Sequence, residues 1–135
     1  MTVKHRKDFM HFKKILIIIS TFIIMVTATI ASPEAKAKRT TYLGNYKITA
    51  YCGCRKCSGK WGNKTASGRR AKEGRTIAVD RRKIKLGTKI KINGHTYRAE
   101  DVGGGVKGKH IDVYFNSHKK ALKFGKKYRK VYKIS

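Results

Sequence analysis

The sequence predicts a small all-β domain that follows an export leader. From residue 45 onward the chain consists of short, strand-like segments separated by glycine, which is the pattern of a compact all-β fold. The dipeptide Asn93-Gly94 joins two such segments and is a strong hairpin signal. The single proline is Pro33, so glycine makes the turns in the rest of the chain. A closed or nearly closed small β-barrel fits, because it hides strand edges that a short, highly charged sheet would expose.

The first 37 residues have the composition of a secretory signal peptide. Basic residues between Lys4 and Lys14 precede an uncharged, isoleucine-rich run at residues 15–31. Ala35-Lys36-Ala37 then supplies a small-x-small site of the kind that signal peptidase accepts. An uncleaved membrane anchor is the alternative, since the run is close to the lower length limit for a spanning helix. We therefore expect a secreted or wall-associated protein that contacts the membrane only through this segment, before cleavage or where it is retained.

The remaining elements follow in order from a basic lead-in at residues 38–44. Strands are expected at residues 46–51, 76–80, 88–92, 96–101, 111–115 and 131–134. In the third of these, lysine and isoleucine alternate, which predicts a strand with one solvated face. Residues 53–74 are polar and rich in glycine and serine, so they are predicted to form a long loop. One short C-terminal helix is expected at residues 117–125, and the whole domain at residues 45–135.

The positive charge belongs to the domain and not to the leader. After residue 37 the chain keeps 28 of the 34 Lys and Arg residues and five of the seven acidic residues, which gives a net charge of +23. Such a field draws a protein toward polyanions and says little about its fold. For an exported protein, anionic wall polymers or anionic lipid headgroups are the expected partners. The chain lacks the aromatic-basic motifs of single-strand binders, so nucleic acid is not a predicted partner.

The three cysteines, Cys52, Cys54 and Cys57, lie within six residues of one another. A structural disulfide or free thiols are the favoured interpretation, because a zinc site needs four ligands and no second cysteine pair exists. His95, His110 or His118 could supply a fourth ligand. None of them has the usual short spacing from another ligand. The sequence therefore predicts no metal site and no cofactor.

Three of the acids are candidates for chemistry: Asp80, Asp101 and Asp112. Asp112 lies between isoleucine and valine in a predicted strand, where burial would raise its pKa. Two further carboxylates nearby would raise it again, which suits a general acid, although the surrounding cations oppose the shift. Glu73 is expected to be solvated, and Glu100 to face the opposite way from Asp101. The alternative is that each aspartate pairs with a neighbouring cation or caps a turn.

Three glycines follow Asp101 directly, at residues 103–105. They allow a tight turn and the close approach of a bulky ligand to the backbone. The segment lacks the Gly-Lys-Ser/Thr ending of a phosphate-binding loop, so a nucleotide site is not expected.

The blocks of the mature chain resemble the bacterial three-aspartate (3D) domain. They are residues 46–54, Thr65-Ala66-Ser67-Gly68, Thr76-Ile77-Ala78-Val79-Asp80, Leu86-Gly87-Thr88, residues 99–108, Ile111-Asp112-Val113-Tyr114-Phe115 and residues 117–125. The resemblance covers roughly residues 44–134, with the blocks in family order. Two departures are Lys85, where the family commonly has proline, and Val102, where it usually has threonine. Val102 removes a hydroxyl beside Asp101.

The resemblance implies a fold, an activity and a site. The family is similar to the catalytic domain of membrane-bound lytic transglycosylase A, which has a double-psi β-barrel. Its three aspartates fall on Asp80, Asp101 and Asp112, with Asp112 in the position of the catalytic acid and the other two as supporting acids of the same cleft. The implied substrate is the glycan strand of peptidoglycan, and the implied products end in 1,6-anhydro-N-acetylmuramic acid.

Six residues are predicted to contact the substrate: Gly103, Gly104, Gly105, Lys107, Tyr114 and Trp61. Most of the tyrosines are expected to serve the barrel core, whereas Trp61 lies in a polar loop and is free to stack on a sugar ring. Two alternatives stay open. One is an expansin-like module that binds and loosens the wall without cleaving it, and the other is a hydrolase that leaves free reducing ends.

Overall fold

The computed structural model describes residues 38–135. The predicted signal peptide or anchor lies outside the described residues. Within residues 38–135, no helix has both the length and the apolar character needed to span a membrane.

Six strands and two short helices make up the domain. The strands are β1 (Thr40–Cys52), β2 (Thr76–Val79), β3 (Lys89–Ile92), β4 (His95–Asp101), β5 (His110–Phe115) and β6 (Lys127–Ile134). The helices are α1 (Arg55–Ser58), which a 3-10 turn at Gly59–Trp61 follows, and α2 (His118–Phe124). The all-β class and the single C-terminal helix predicted from the sequence are confirmed.

The strands close into a barrel in the order β1-β5-β2-β4-β3-β6. Two of the pairs, β1 with β5 and β2 with β4, are parallel, and the others are antiparallel. The β3–β4 hairpin turns at Asn93 and Gly94, whose φ values of 48° and 81° are those of a type I′ turn. Because the sheet closes on itself, every strand has a neighbour on both sides and no long edge is left open.

The barrel interior is filled by aliphatic side chains that alternate with exposed polar ones. In β3, Ile90 and Ile92 point inward, while Lys89 and Lys91 are exposed, as the alternation predicts. All four residues of β2, which lies between β5 and β4, are buried. The core cluster comprises Tyr46, Ile48, Ile77, Val79, Ile84, Ile90, Ile92, Ala99, Ile111, Val113 and Val131.

The structure differs from the sequence prediction at both ends of the domain. The lead-in is not separate, because β1 begins at Thr40 and pairs antiparallel with β6 from Thr40 opposite Ile134 onward. Strand β6 correspondingly begins at Lys127, four residues earlier than predicted. A β-bulge between Tyr42 and Gly44 interrupts the pairing, and Gly44 adopts a φ of 117° there. The predicted loop at residues 53–74 contains α1, the 3-10 turn and one isolated bridge, between Lys64 and Arg70.

Candidate active site

Strand β2 brings two of the three aspartates together. Ala78 pairs with Asp101 of β4 on one side and with Asp112 of β5 on the other. Residues paired across neighbouring strands share a face, and two strand spacings put these Cα atoms about 10 Å apart. Ala78, Asp101 and Asp112 all line one open cavity of about 650 Å³. The small alanine side chain leaves the space between the two carboxylates accessible.

Asp101 is held as a hydrogen-bond acceptor. The Tyr51 hydroxyl donates to Oδ2 at 2.7 Å, and the backbone N–H groups of Ala66 and Val102 donate to Oδ1 at 3.0 and 2.9 Å. Burial and the bond to Asp101 raise the pKa of Tyr51 well above its ordinary value, so Tyr51 stays a neutral donor. Asp101 thereby fixes both the loop at residue 66 and the phenol that borders the cavity.

Asp112 is the carboxyl group that burial perturbs toward the protonated form. It is half-buried, and this desolvation is the main reason that its pKa is raised; the charge of Asp101 adds to the shift. A hydrogen bond from the Thr49 hydroxyl to Oδ1 at 2.8 Å and the charges of His110 and Lys47 act in the opposite direction. The sequence predicted that burial would raise the pKa of Asp112 and that nearby cations would lower it, and the structure shows both effects.

Asp112 is also the end of a hydrogen-bonded chain that the sequence analysis did not predict. The Thr49 hydroxyl contacts Nε2 of His110 at 2.8 Å, and Nδ1 of His110 contacts the Gly105 carbonyl oxygen at 3.0 Å. A carbonyl oxygen only accepts, so Nδ1 carries a proton. The Thr49 hydroxyl thus bridges Nε2 of His110 and the Asp112 carboxyl group.

Asp80 lies apart from the other two aspartates. It is buried at the end of β2 and is not among the cavity-lining residues of the described chain. Arg82 binds it through two side-chain bonds of 3.0 and 2.8 Å, and Gly108 donates a backbone N–H to it at 2.9 Å. These bonds lower the pKa of Asp80 well below its ordinary value, and the side-chain bond from Arg82 has the largest effect. The expected role of Asp80 as a supporting acid of the cleft stays a prediction; in the structure, Asp80 anchors the 102–108 loop through Gly108.

The predicted substrate-contacting residues divide into two groups. Trp61, Gly103 and Gly104 line the cavity, and Trp61 is 65% exposed. Tyr114 is only 3% exposed, and its hydroxyl donates to Asn63, so it supports the cavity wall and is not available to stack on a sugar.

Gly105 and Lys107 are not among the cavity-lining residues of the described chain. The Gly105 carbonyl is already engaged by His110. Lys64, which the sequence analysis did not select, contributes a cation to the cavity wall.

The remaining acids are structural. Glu73 was predicted to be solvated, but in the structure it accepts hydrogen bonds from the backbone N–H of Asn116 and from Lys120. Both bonds lower the pKa of Glu73, and the bond from Asn116 has the larger effect. Glu100 is 1% exposed, and one of its carboxylate oxygens accepts bonds from Arg75 and Thr76. Glu100 and Asp101 thus have separate environments, as their strand phase predicted.

A second cluster lies beside the cavity. The side chains of Cys52, Cys54, Cys57 and His118 each direct one metal-ligating atom to a common point, and these four atoms lie within 4.8 Å of one another. Cys57 also lines the cavity. The three cysteines are free thiols in the structure, and His118 joins them because α2 packs against the end of β1. The sequence spacing did not predict this arrangement.

Comparison with known proteins gives a family for the C-terminal part of the chain. Residues 75–135 match the 3D domain, and this segment contains Asp80, Asp101 and Asp112. The chain is 39% identical over 88 residues to YabE of Bacillus subtilis (strain 168), whose name assigns it to cell wall shaping. That alignment covers 62% of this chain and 21% of YabE, so the chain spans about a fifth of that relative's length.

Two solved structures of a lytic transglycosylase are also similar. The crystal structure of MltA from Escherichia coli is 27% identical with a TM-score of 0.48, over 53% of this chain and 27% of MltA. A variant of the same enzyme in an apo form is 26% identical with a TM-score of 0.48, over the same shares of the two chains. The resemblance noted in the sequence is thus matched by the family comparison, in which residues 75–135 are similar to the 3D domain.

Proposed function

We propose that this domain is a lytic transglycosylase that cleaves peptidoglycan between N-acetylmuramic acid and N-acetylglucosamine. The observation that carries the proposal is Asp112, a half-buried carboxyl group with a raised pKa on the wall of an open cavity. A general acid has to hold a proton near the working pH and reach the substrate. Burial shifts the pKa of Asp112 in the direction of the first requirement, and its place on the cavity wall serves the second. The name of one similar protein, which assigns it to cell wall shaping, supports a substrate in the cell wall.

In the first step, protonated Asp112 donates its proton to the glycosidic oxygen as the bond from that oxygen to the anomeric carbon breaks. In the second step, the ionised Asp112 takes the proton from the 6-hydroxyl of the muramic acid residue while the 6-oxygen bonds to the anomeric carbon. Water is not consumed, and Asp112 ends the cycle protonated. One carboxyl group is therefore enough, whereas hydrolysis usually requires two.

Thr49 would assist the change of charge on Asp112. When Asp112 loses its proton, the Thr49 hydroxyl donates to the new carboxylate. Asp101 would accept from sugar hydroxyls or hold Tyr51 against the ring, while exposed Trp61 provides a stacking surface on the same cavity.

The finer features expected from the sequence belong to the same proposal. The closed six-stranded barrel with two parallel strand pairs is consistent with a double-psi β-barrel. We place the protein at the cell wall, exported by its leader. A second surface cavity of about 550 Å³ is lined by three cations and no acid, namely Lys91, Arg129 and Lys130, and would attract anionic wall polymers.

Digestion of purified peptidoglycan tests the proposed reaction. We expect the protein to release muropeptides that end in 1,6-anhydro-N-acetylmuramic acid, identified by mass spectrometry as lacking one water relative to hydrolysis products. Free reducing ends would assign the hydrolase alternative instead. Salt-sensitive wall binding without released sugars would favour the expansin-like alternative.

The pH dependence of cleavage should respond to Thr49. The Thr49 bond stabilises the ionised Asp112, so Thr49→Val should raise the pKa of Asp112 further. Because cleavage requires the protonated acid, the alkaline limb of the kcat/KM profile should move upward by about one pH unit. Exposed Thr96 provides the matched control, since Thr96→Val leaves the site untouched. An alkaline limb that stays in place or moves downward in Thr49→Val would contradict the role given to Asp112.

A further inference from the structure

We propose that Cys52, Cys54, Cys57 and His118 bind one zinc ion. The Nδ1 atom of His118 lies 3.6 Å from the sulfur of Cys52 and 3.4 Å from the sulfurs of Cys54 and Cys57. The sulfurs of Cys52 and Cys54 are 3.1 Å apart. Three thiols and an imidazole nitrogen are the ligand set of a Cys₃His structural zinc site.

The spacing of the four atoms fits a tetrahedron around zinc. With Zn–S bonds of about 2.3 Å and a Zn–N bond of about 2.0 Å, tetrahedral ligand atoms lie roughly 3.5–3.8 Å apart. The His118 distances of 3.4–3.6 Å match that range, and all four ligand atoms lie within 4.8 Å of one another. The Cys52–Cys54 distance of 3.1 Å has to open by about 0.7 Å, which side-chain rotation can supply.

The fold delivers these ligands from three separate elements. Cys52 is the last residue of β1, where it is 1% exposed and pairs in parallel with Phe115 at the end of β5. The chain leaving β5 therefore starts α2 beside Cys52, and His118 is the first residue of that helix. Cys57 belongs to α1 and Cys54 directly precedes it, and the Ser58 hydroxyl ties this turn to the Cys52 carbonyl. The parallel β1–β5 pair thus places Cys52 and His118, and the turn at α1 adds Cys54 and Cys57.

A zinc ion here would organise one wall of the proposed active site. The ligand set fills all four positions, so it leaves no open position for a substrate or a reactive water, as in structural sites. Cys57, Ser58, Trp61 and Lys64 all line the cavity that contains Asp101 and Asp112. The inference does not rest on the proposed activity, because the metal can be measured without any substrate.

Metal content and a cobalt spectrum test the site. The full chain, purified with a thiol reductant and equimolar zinc, should hold about one zinc per chain by mass spectrometry of the metal. Titrating Co²⁺ into the reduced, metal-depleted chain should give the visible absorption of a tetrahedral ion and the near-ultraviolet bands of thiolate ligation, saturating at one equivalent. Zinc should then displace the cobalt spectrum.

Variants identify the ligands, and two outcomes would overturn the proposal. Cys57→Ser and His118→Gln should each lower the retained zinc to near zero, whereas His95→Gln, which alters a remote histidine bonded to the Gly74 carbonyl, should keep about one ion. A reduced wild-type chain that binds neither zinc nor cobalt would refute the site. Unchanged zinc content in both Cys57→Ser and His118→Gln would also refute it. The cobalt titration of the wild type decides the matter even where a variant fails to fold.

Discussion

Replacing Asp112 by asparagine should reduce cleavage of purified peptidoglycan by about 10²–10⁴-fold, the usual contribution of a general acid. The asparagine keeps the shape of the side chain and can still accept from Thr49, but it has no proton to give to the glycosidic oxygen. Released muropeptides, quantified by mass spectrometry as initial rates, measure the effect. The substitution should not lower the melting temperature. Burial raises the pKa of Asp112, so its ionised form opposes folding at pH values above its ordinary pKa, and neutral asparagine removes that cost.

Glu73→Gln is the matched control for this variant. It also neutralises a partly buried carboxylate, but one that binds Asn116 and Lys120 away from the cavity. Glu73→Gln should retain wild-type rates, so that loss of activity in Asp112→Asn cannot be assigned to loss of one negative charge in a strongly basic domain. Equal rates for wild type and Asp112→Asn would exclude Asp112 as the acid and return attention to Asp101, the other carboxylate on the cavity wall.

The three aspartates have unequal environments, and this inequality is what a single-acid mechanism needs. Asp80 forms an ion pair with Arg82 and accepts a hydrogen bond from the Gly108 N–H, so its charge stabilises the loop. Asp101 accepts three hydrogen bonds and faces the cavity as an acceptor. Asp112 receives a single side-chain hydrogen bond, and desolvation has the largest influence on its pKa. Environment, and not residue type, separates the acid from its neighbours.

Local patterns were enough to predict most of the barrel. The Lys-Ile alternation of β3, the Asn93-Gly94 turn and the apolar run of β2 each encode one strand or turn within a few residues. The first residues of β1 were missed because Thr40 to Gly44 have no apolar alternation of their own. They are held by backbone pairing with β6, a partner about 90 residues away in sequence, which no local pattern reports.

The site was predictable only in part for the same reason. Asp101 and Asp112 could be chosen from the sequence because acidic residues are few and because their positions in the predicted strands are known. Their placement on either side of Ala78, however, depends on the order of β4, β2 and β5. His110 was not predicted as a neighbour of Asp112, and His118 could not be chosen from the three histidines named as possible ligands. In both cases the partners lie across the parallel β1–β5 pair. Once Cys52 is known to pair with Phe115, the approach of His118 to the cysteines follows directly.

Arg75→Ala should destabilise the domain by about 3 kcal/mol, because it leaves the Glu100 carboxylate buried without its cation. The Glu100 side chain is 2% exposed and that of Arg75 is 40% exposed, with 3.1 Å between Nε and Oε2. Without the guanidinium, the Thr76 hydroxyl is the remaining side-chain donor to that oxygen, at 2.7 Å. Since Arg75 is partly solvated, the lower end of the cost for a broken buried pair applies. Thermal unfolding should show a melting temperature lower by roughly 12–24 °C for a domain of this size.

The double variant Arg75→Ala/Glu100→Gln separates an unpaired charge from lost packing. Glutamine is neutral and can still accept from Thr76, so the double variant should recover most of the lost stability and come within about 1 kcal/mol of the wild type. Arg81→Ala, which removes an exposed arginine nearby, should change stability by less than about 0.5 kcal/mol. If Arg75→Ala proved as stable as Arg81→Ala, the single bond from Thr76 would be sufficient for a carboxylate in the barrel wall. If the double variant stayed as unstable as Arg75→Ala, the arginine would act through its aliphatic packing and not through its charge.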